Sequence, residues 1–148
     1  MLFRSAAAGL RQAIVTTSGR SAVQALLAQL LPQAPVLLPL WVCGEDVVRK
    51  KPDPEAYARA LALLDLPAAA VLAVEDSGNG VAAARGAGLA VLVCRSASSA
   101  HEPEEAFAGA QAVLNHLGEP HEPCTVLAGP ACSDGWVTLS YLQQLLAR

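Results

Sequence analysis

Four short apolar runs alternate along the chain with stretches in which apolar residues recur at helical spacing. The runs are Ala13–Thr16, Leu37–Cys43, Val71–Val74 and Ala90–Cys94. Between the first two, Val23, Leu26, Leu27, Leu30 and Leu31 predict a helix over Ser21–Leu31, with Ser18 or Ser21 as its cap and Pro32 and Pro35 as its stop. Asp53-Pro54-Glu55 reads as a helix start, with Asp at the cap and Pro at the first position. That helix is expected to reach about Leu64 and to bury Tyr57, Leu61 and Leu64. A third helix, Val81–Ala87, is closed by Gly88, and an amphipathic one, Trp136–Leu146, ends the chain. Leu2–Gln12 is weakly helical, Ala112–Leu114 is a candidate fifth strand, Arg95–Glu105 is a polar loop, and 117–134 is a Pro/Gly-rich connection. Strands that alternate with helices, and that are apolar throughout, specify an α/β fold: a Rossmann-like parallel sheet with helices on both faces.

Composition narrows the picture. The 148 residues fit one domain, and an aromatic share of 4 % makes its core aliphatic. The net charge is −3, and the basic residues form no stripe, which argues against nucleic acid as a partner. No apolar run reaches the roughly 18 residues of a membrane span. Cys43, Cys94, Cys124 and Cys132 lack Cys-x-x-Cys spacing, so reduced thiols and a cytoplasmic location are expected. Residues 1–44 hold Arg4, Arg11 and Arg20 but no acid, a transit-peptide composition. The strand at Ala13 arrives too early to favour that reading over the tail of a longer helix.

In parallel α/β sheets, ligands bind at the carboxyl ends of the strands. The polar residues fall there. Thr16-Thr17-Ser18 ends the first strand, Lys51-Pro52 lies in the loop after the second, and Glu75-Asp76 ends the third. Thr-Thr-Ser before a helix is an anion cradle, although it is equally an ordinary cap. A lone lysine is most often a solvated surface residue. Two carboxylates at the end of a buried strand need a positive partner, and a hard cation such as Mg²⁺ takes one or two carboxylates with phosphate oxygens and water. Together the three clusters describe a site for Mg²⁺ and a phosphate dianion. Gly78-Asn-Gly80-Val-Ala-Ala83 also matches a dinucleotide fingerprint. The carboxylates just before it would repel a pyrophosphate, and no acid follows the next strand to hold a ribose.

Three segments resemble the haloacid dehalogenase-like hydrolases, which are mostly phosphatases. Ile14-Val-Thr16-Thr-Ser is similar to the family's second motif, Val48-Arg-Lys-Lys51-Pro52-Asp-Pro54 to its third, and Val74-Glu75-Asp76-Ser77-Gly-Asn-Gly80 to its fourth. The match runs from about residue 10 to 94. Phe107–Leu114 and Leu117–Pro120 resemble the end of the CbbY-like subgroup, whose members act on sugar phosphates. The resemblance implies that residues 1–148 are the C-terminal part of such a core, with 95–148 as an extension. It implies that Thr16 contacts phosphate with Thr17 and Ser18 beside it, that Lys51 bridges phosphate and nucleophile, and that Asp76, helped by Glu75, holds Mg²⁺.

One departure is large. The family's first motif, Asp-x-Asp, is absent: the aspartates are Asp46, Asp53, Asp65, Asp76 and Asp134. The helical cap between the first two motifs is missing as well. The resemblance therefore implies the C-terminal part of a Mg²⁺-dependent phosphatase that acts on a small sugar phosphate through an aspartyl-phosphate, inactive by itself. The alternatives are a phosphate-binding pseudo-phosphatase without turnover, or a half that works with a second chain. In the family the missing strand lies between those ending at Thr16 and Glu75. A gap, direct pairing of the two strands, or filling by another chain is expected there.

Overall fold

The computed structural model describes residues 2–147. In order these form α1 (Leu2–Ala7), β1 (Ala13–Val15), α2 (Arg20–Leu30), α3 (Ala34–Leu37), β2 (Leu40–Val42), α4 (Glu55–Leu64), β3 (Leu72–Glu75), α5 (Gly78–Gly86), β4 (Ala90–Cys94), β5 (Ala112–Leu114), β6 (Val126–Ala128) and α6 (Leu139–Leu146). The strands make two sheets. β1 pairs with β2 in parallel, and β3, β4 and β5 pair in parallel with β6 antiparallel at the far edge.

β4 explains the continuous apolar runs. Its side chains alternate between faces, and both faces are covered. Val91 and Val93 join Ala73, Val81, Ala83, Ala84 and Tyr57 on one side. Leu92 joins Leu114, Val137, Tyr141 and Leu145 on the other, under α6. The α/β class and the helices on both faces are thus as expected.

Several details differ from expectation. The run Leu37–Cys43 is split: Ala34–Leu37 is a short helix with Pro35 in its first turn, and the strand begins only at Leu40, after Pro39. β6 lies inside the Pro/Gly-rich connection, where three residues are too few for an alternating pattern to show. α6 starts at Leu139 rather than Trp136, because the Thr138 hydroxyl accepts from the Tyr141 N–H and caps it there. Neither Ser18 nor Ser21 caps α2. The cap position is Gly19, and the Arg20 N–H instead donates to Glu45 Oε1 at 2.8 Å. No residue of α2 is buried; Leu26 and Leu30 face solvent, because no described element covers its apolar face. In α4 the buried residues are Ala56, Tyr57 and Ala60, while Leu61 and Leu64 are half-buried and line a cleft.

That cleft separates the two sheets. It is about 610 Å³, and Ala13 and Val15 of β1 face Leu72, Ala73 and Val74 of β3 across it. Of the three arrangements expected at this place, the structure has the gap. No described helix is long and apolar enough to cross a membrane.

Candidate active site

The two strands flanking the cleft end at one place. Thr16 and Thr17 follow β1, Glu75 closes β3 with Asp76 and Ser77 after it, and Lys51 reaches in from the loop after β2. With Cys94, Ser96 and Leu117 they line a second cleft of about 510 Å³. Three of the clusters singled out in the sequence therefore converge, as strand-end chemistry requires. Ser18 is exposed and is not part of the lining.

Lys51 is the centre of the arrangement. Its ammonium donates to the Val15 carbonyl at 2.9 Å, to the Tyr57 hydroxyl at 3.3 Å, and to Glu75 Oε1. Its Nζ also lies 4.7 Å from the Tyr57 ring centroid. The side chains are 10 % exposed for Lys51 and 8 % for Glu75, so this is a buried ion pair. Tyr57 donates its own hydroxyl to Glu75. Burial first, and the Glu75 charge second, push the Tyr57 hydroxyl far above its ordinary pKa, so it stays a donor at any physiological pH. Gly80 makes this packing possible: a Cβ there would run into the Glu75 carboxylate.

The two adjacent acids part company. Successive side chains on a strand point to opposite faces. Glu75 turns inward to Lys51 and Tyr57, whereas Asp76 Oδ2 accepts from Ser96 Oγ at 2.8 Å and Ser98 Oγ at 3.3 Å. The geometry separates the two acids expected to hold Mg²⁺ together: Glu75 Oε1 is shared by the Lys51 ammonium and the Tyr57 hydroxyl. Among the described residues, no three His, Cys, Asp or Glu side chains converge as a metal cage. One half-exposed carboxylate beside an open cleft still suits Mg²⁺, which leaves most of its sphere to phosphate oxygens and water.

Four contributors were not legible in the sequence. Tyr57 reads only as a core residue on a helical face. Ser96 and Ser98 sit in a loop without periodicity. Arg95 shapes that loop, donating to the carbonyls of Ser99, Ala100 and Glu102 and stacking 5.1 Å over Phe107. The dinucleotide reading, already disfavoured by the neighbouring carboxylates, meets a further obstacle in three dimensions. The N-terminus of α5, where a pyrophosphate would dock, already holds a carboxylate: Gly78 N–H donates to Glu102 Oε2 at 2.7 Å.

The Thr16-Thr17-Ser18 loop is pinned. Thr16 Oγ1 accepts from the Ser18 N–H at 3.1 Å, which leaves its hydroxyl proton for a ligand. The Ser18 carbonyl accepts from the Gly44 N–H at 2.9 Å. The Lys51 loop hangs on carboxylates. Glu55 accepts from the N–H groups of Val48 and Arg49, and Asp46 from that of Cys43. These backbone bonds hold Glu55 and Asp46 below the usual carboxylate range. A lowered carboxylate stabilises the fold fully above its unfolded pKa, and the contribution disappears as pH falls through the folded value. Loosening of residues 44–55 is therefore expected only below about pH 4. A backbone-amide NMR titration checks it: Val48 and Arg49 should shift together in that window, and movement centred near neutral pH would contradict the assignment.

A haloacid dehalogenase-like hydrolase family model matches residues 2–88. Protein CbbY of Rhodobacter capsulatus is 46 % identical over 94 residues, which is 63 % of this chain and 41 % of that protein. A phosphoglycolate phosphatase of Cupriavidus necator is 41 % identical over 87 residues, 59 % of this chain and 37 % of that protein. The crystal structure of CbbY from Rhodobacter sphaeroides in complex with xylulose-(1,5)bisphosphate superimposes with a TM-score of 0.69 at 37 % identity, covering 74 % of this chain and 48 % of that one. The chain thus spans less than half the length of these relatives. With the three motifs converging on one cleft, these likenesses place it: the chain belongs to the haloacid dehalogenase-like hydrolases, in their CbbY-like branch.

Proposed function

We propose that this chain carries the phosphate- and Mg²⁺-binding part of a phosphatase for a small sugar phosphate, working in the cytoplasm. The observation that supports this most is Lys51, buried between the Val15 carbonyl and Glu75 at the floor of a cleft that Thr16 and Asp76 line. The Thr16 hydroxyl and the Thr17 segment receive phosphate oxygens, with Ser18 shaping the turn behind them. Lys51 supplies fixed positive charge beneath the phosphate, and Glu75 and Tyr57 hold it there. Asp76, oriented by Ser96 and Ser98, holds Mg²⁺, which when bound neutralises phosphate charge.

Turnover through an aspartyl-phosphate needs a carboxylate in line with phosphorus. Glu75 is committed to Lys51, Asp76 to its serines, and the chain has no Asp-x-Asp. The reading is therefore that the chain alone binds and does not hydrolyse. The gap between β1 and β3 favours a second reading over a self-sufficient pseudo-phosphatase: a strand from another chain fills it and brings the nucleophile.

Incubation with Mg²⁺ and a panel of small phosphate esters should release no phosphate above buffer. Inorganic phosphate with Mg²⁺ should still shift the amides of Thr16, Thr17 and Asp76, and Asp76→Asn should remove the Mg²⁺ dependence. Steady turnover by the purified chain would sink the claim that the nucleophile is missing.

A further inference from the structure

Away from the candidate active site, Cys124 and Cys132 bracket β6. Both are free thiols and half-buried. One residue ties their backbones together: the Cys124 N–H donates to the Gly135 carbonyl at 2.7 Å, and the Gly135 N–H donates to the Cys132 carbonyl at 2.9 Å. Both side chains pack on the same buried cluster of Leu92, Leu114, Val137, Tyr141 and Leu145. The segment between them is also held from outside, since the Tyr141 hydroxyl donates to the Pro130 carbonyl at 3.0 Å and β6 is paired to β5. The fold thus holds two thiols side by side across a short excursion that it has already ordered.

We infer that Cys124 and Cys132 form a dithiol modification site that takes small-molecule disulfides and closes into an intramolecular disulfide. The chemistry is thiol–disulfide exchange with a low-molecular-weight disulfide such as oxidised glutathione. A cysteine thiolate attacks one sulfur of the small disulfide and expels the other as a thiol. The second cysteine then attacks the mixed disulfide, forming the Sγ–Sγ bond and expelling the second small thiol. The protein loses two protons and two electrons, and the small disulfide gains them. Burial first, and the adjacent Cys124 thiol second, push the Cys132 thiol up to about 11. Cys132 therefore keeps its proton at neutral pH. Cys43 is fully buried, out of reach of a small disulfide.

Trypsin can read this directly. No Lys or Arg lies between Arg95 and Arg148, so both cysteines fall on the peptide Ser96–Arg148, while Cys43 and Cys94 fall on others. After native protein is equilibrated with a glutathione redox buffer, that peptide should be lighter by two hydrogen atoms and carry no glutathione. Because the native fold preorganises the pair, the ratio of closed to open form should be at least tenfold larger in native buffer than in urea. The midpoint of thermal unfolding should rise by a few degrees in the oxidised form. Cys124→Ser and Cys132→Ser should each abolish both the closed peptide and the rise. Equal ratios in buffer and urea, separate glutathione adducts on the two cysteines, or a cross-link to the Cys94 peptide would each overturn the inference.

Discussion

Replacing Glu75 with alanine should lower the unfolding free energy by about 3–5 kcal/mol, because it strands a lysine that the fold has taken out of water. Lys51 is 10 % exposed, and its strongest partner is the Glu75 carboxylate. Without that carboxylate the ammonium keeps only the Val15 carbonyl and the Tyr57 hydroxyl, neither of which carries charge. Tyr57 loses its acceptor in the same step. Near the melting temperature a chain of this size shifts by about 2–4 °C per kcal/mol, so a fall of roughly 10 °C is expected in calorimetry. Two companions identify the cause. Glu75→Gln keeps an acceptor and loses only the charge, and should fall between the wild type and Glu75→Ala. The double change Lys51→Met with Glu75→Leu removes both charges and should be much less damaging than the sum of the single changes. A double variant that is fully additive would show that the ion pair contributes no coupling.

The second large effect is steric. Gly44→Ala should destabilise by about 1–3 kcal/mol and weaken phosphate binding at the same time. A Cβ on residue 44 would press on the main chain of Thr17, with the Thr17 carbonyl carbon 3.1 Å away and the Ser18 oxygen 3.4 Å away. Backbone cannot swing aside as a long side chain can, so the whole Thr16-Thr17-Ser18 loop must move. Denaturant melts and an NMR phosphate titration of the same variant separate the two losses. Stability reduced with phosphate shifts unchanged would mean that the loop absorbs the strain elsewhere.

Much of this was legible in the residues. The continuous apolar runs fixed parallel strands because both sheet faces are covered, as Val91, Leu92 and Val93 demonstrate. The positions of Thr16, Lys51 and Glu75-Asp76 after successive strands foretold that they would line one cleft, because parallel strands deliver their carboxyl ends to one place. What stayed hidden depends on side-chain direction and on distant partners. Adjacent acids look like one ligand set in a sequence, yet the strand pleat sends Glu75 and Asp76 to different tasks. Tyr57 looks like core until its hydroxyl is seen on Glu75. The apolar stripe of α2 predicts burial, but periodicity records only that a face is apolar, and says nothing about what covers it. Short elements such as α3 and β6 hold too few residues for any period to register.

The division of the strands into two sheets has a consequence for the order in which the molecule comes apart. The larger sheet has an apolar cluster on each face, whereas the smaller rests mainly on Val42, Ala56 and Ala60. Joining the two are Tyr57 of α4, which enters the larger sheet's cluster with Val15 and Leu61 packed against it, and the buried pair of Lys51 with Glu75. Cooperative units of unequal strength open separately, the weaker first. The β1–β2 unit, which carries Thr16, is then the part that unlatches while β3 to β6 remain folded. The Thr16 loop and the Asp76 carboxylate, neighbours in the native fold, belong to different rungs of its unfolding ladder.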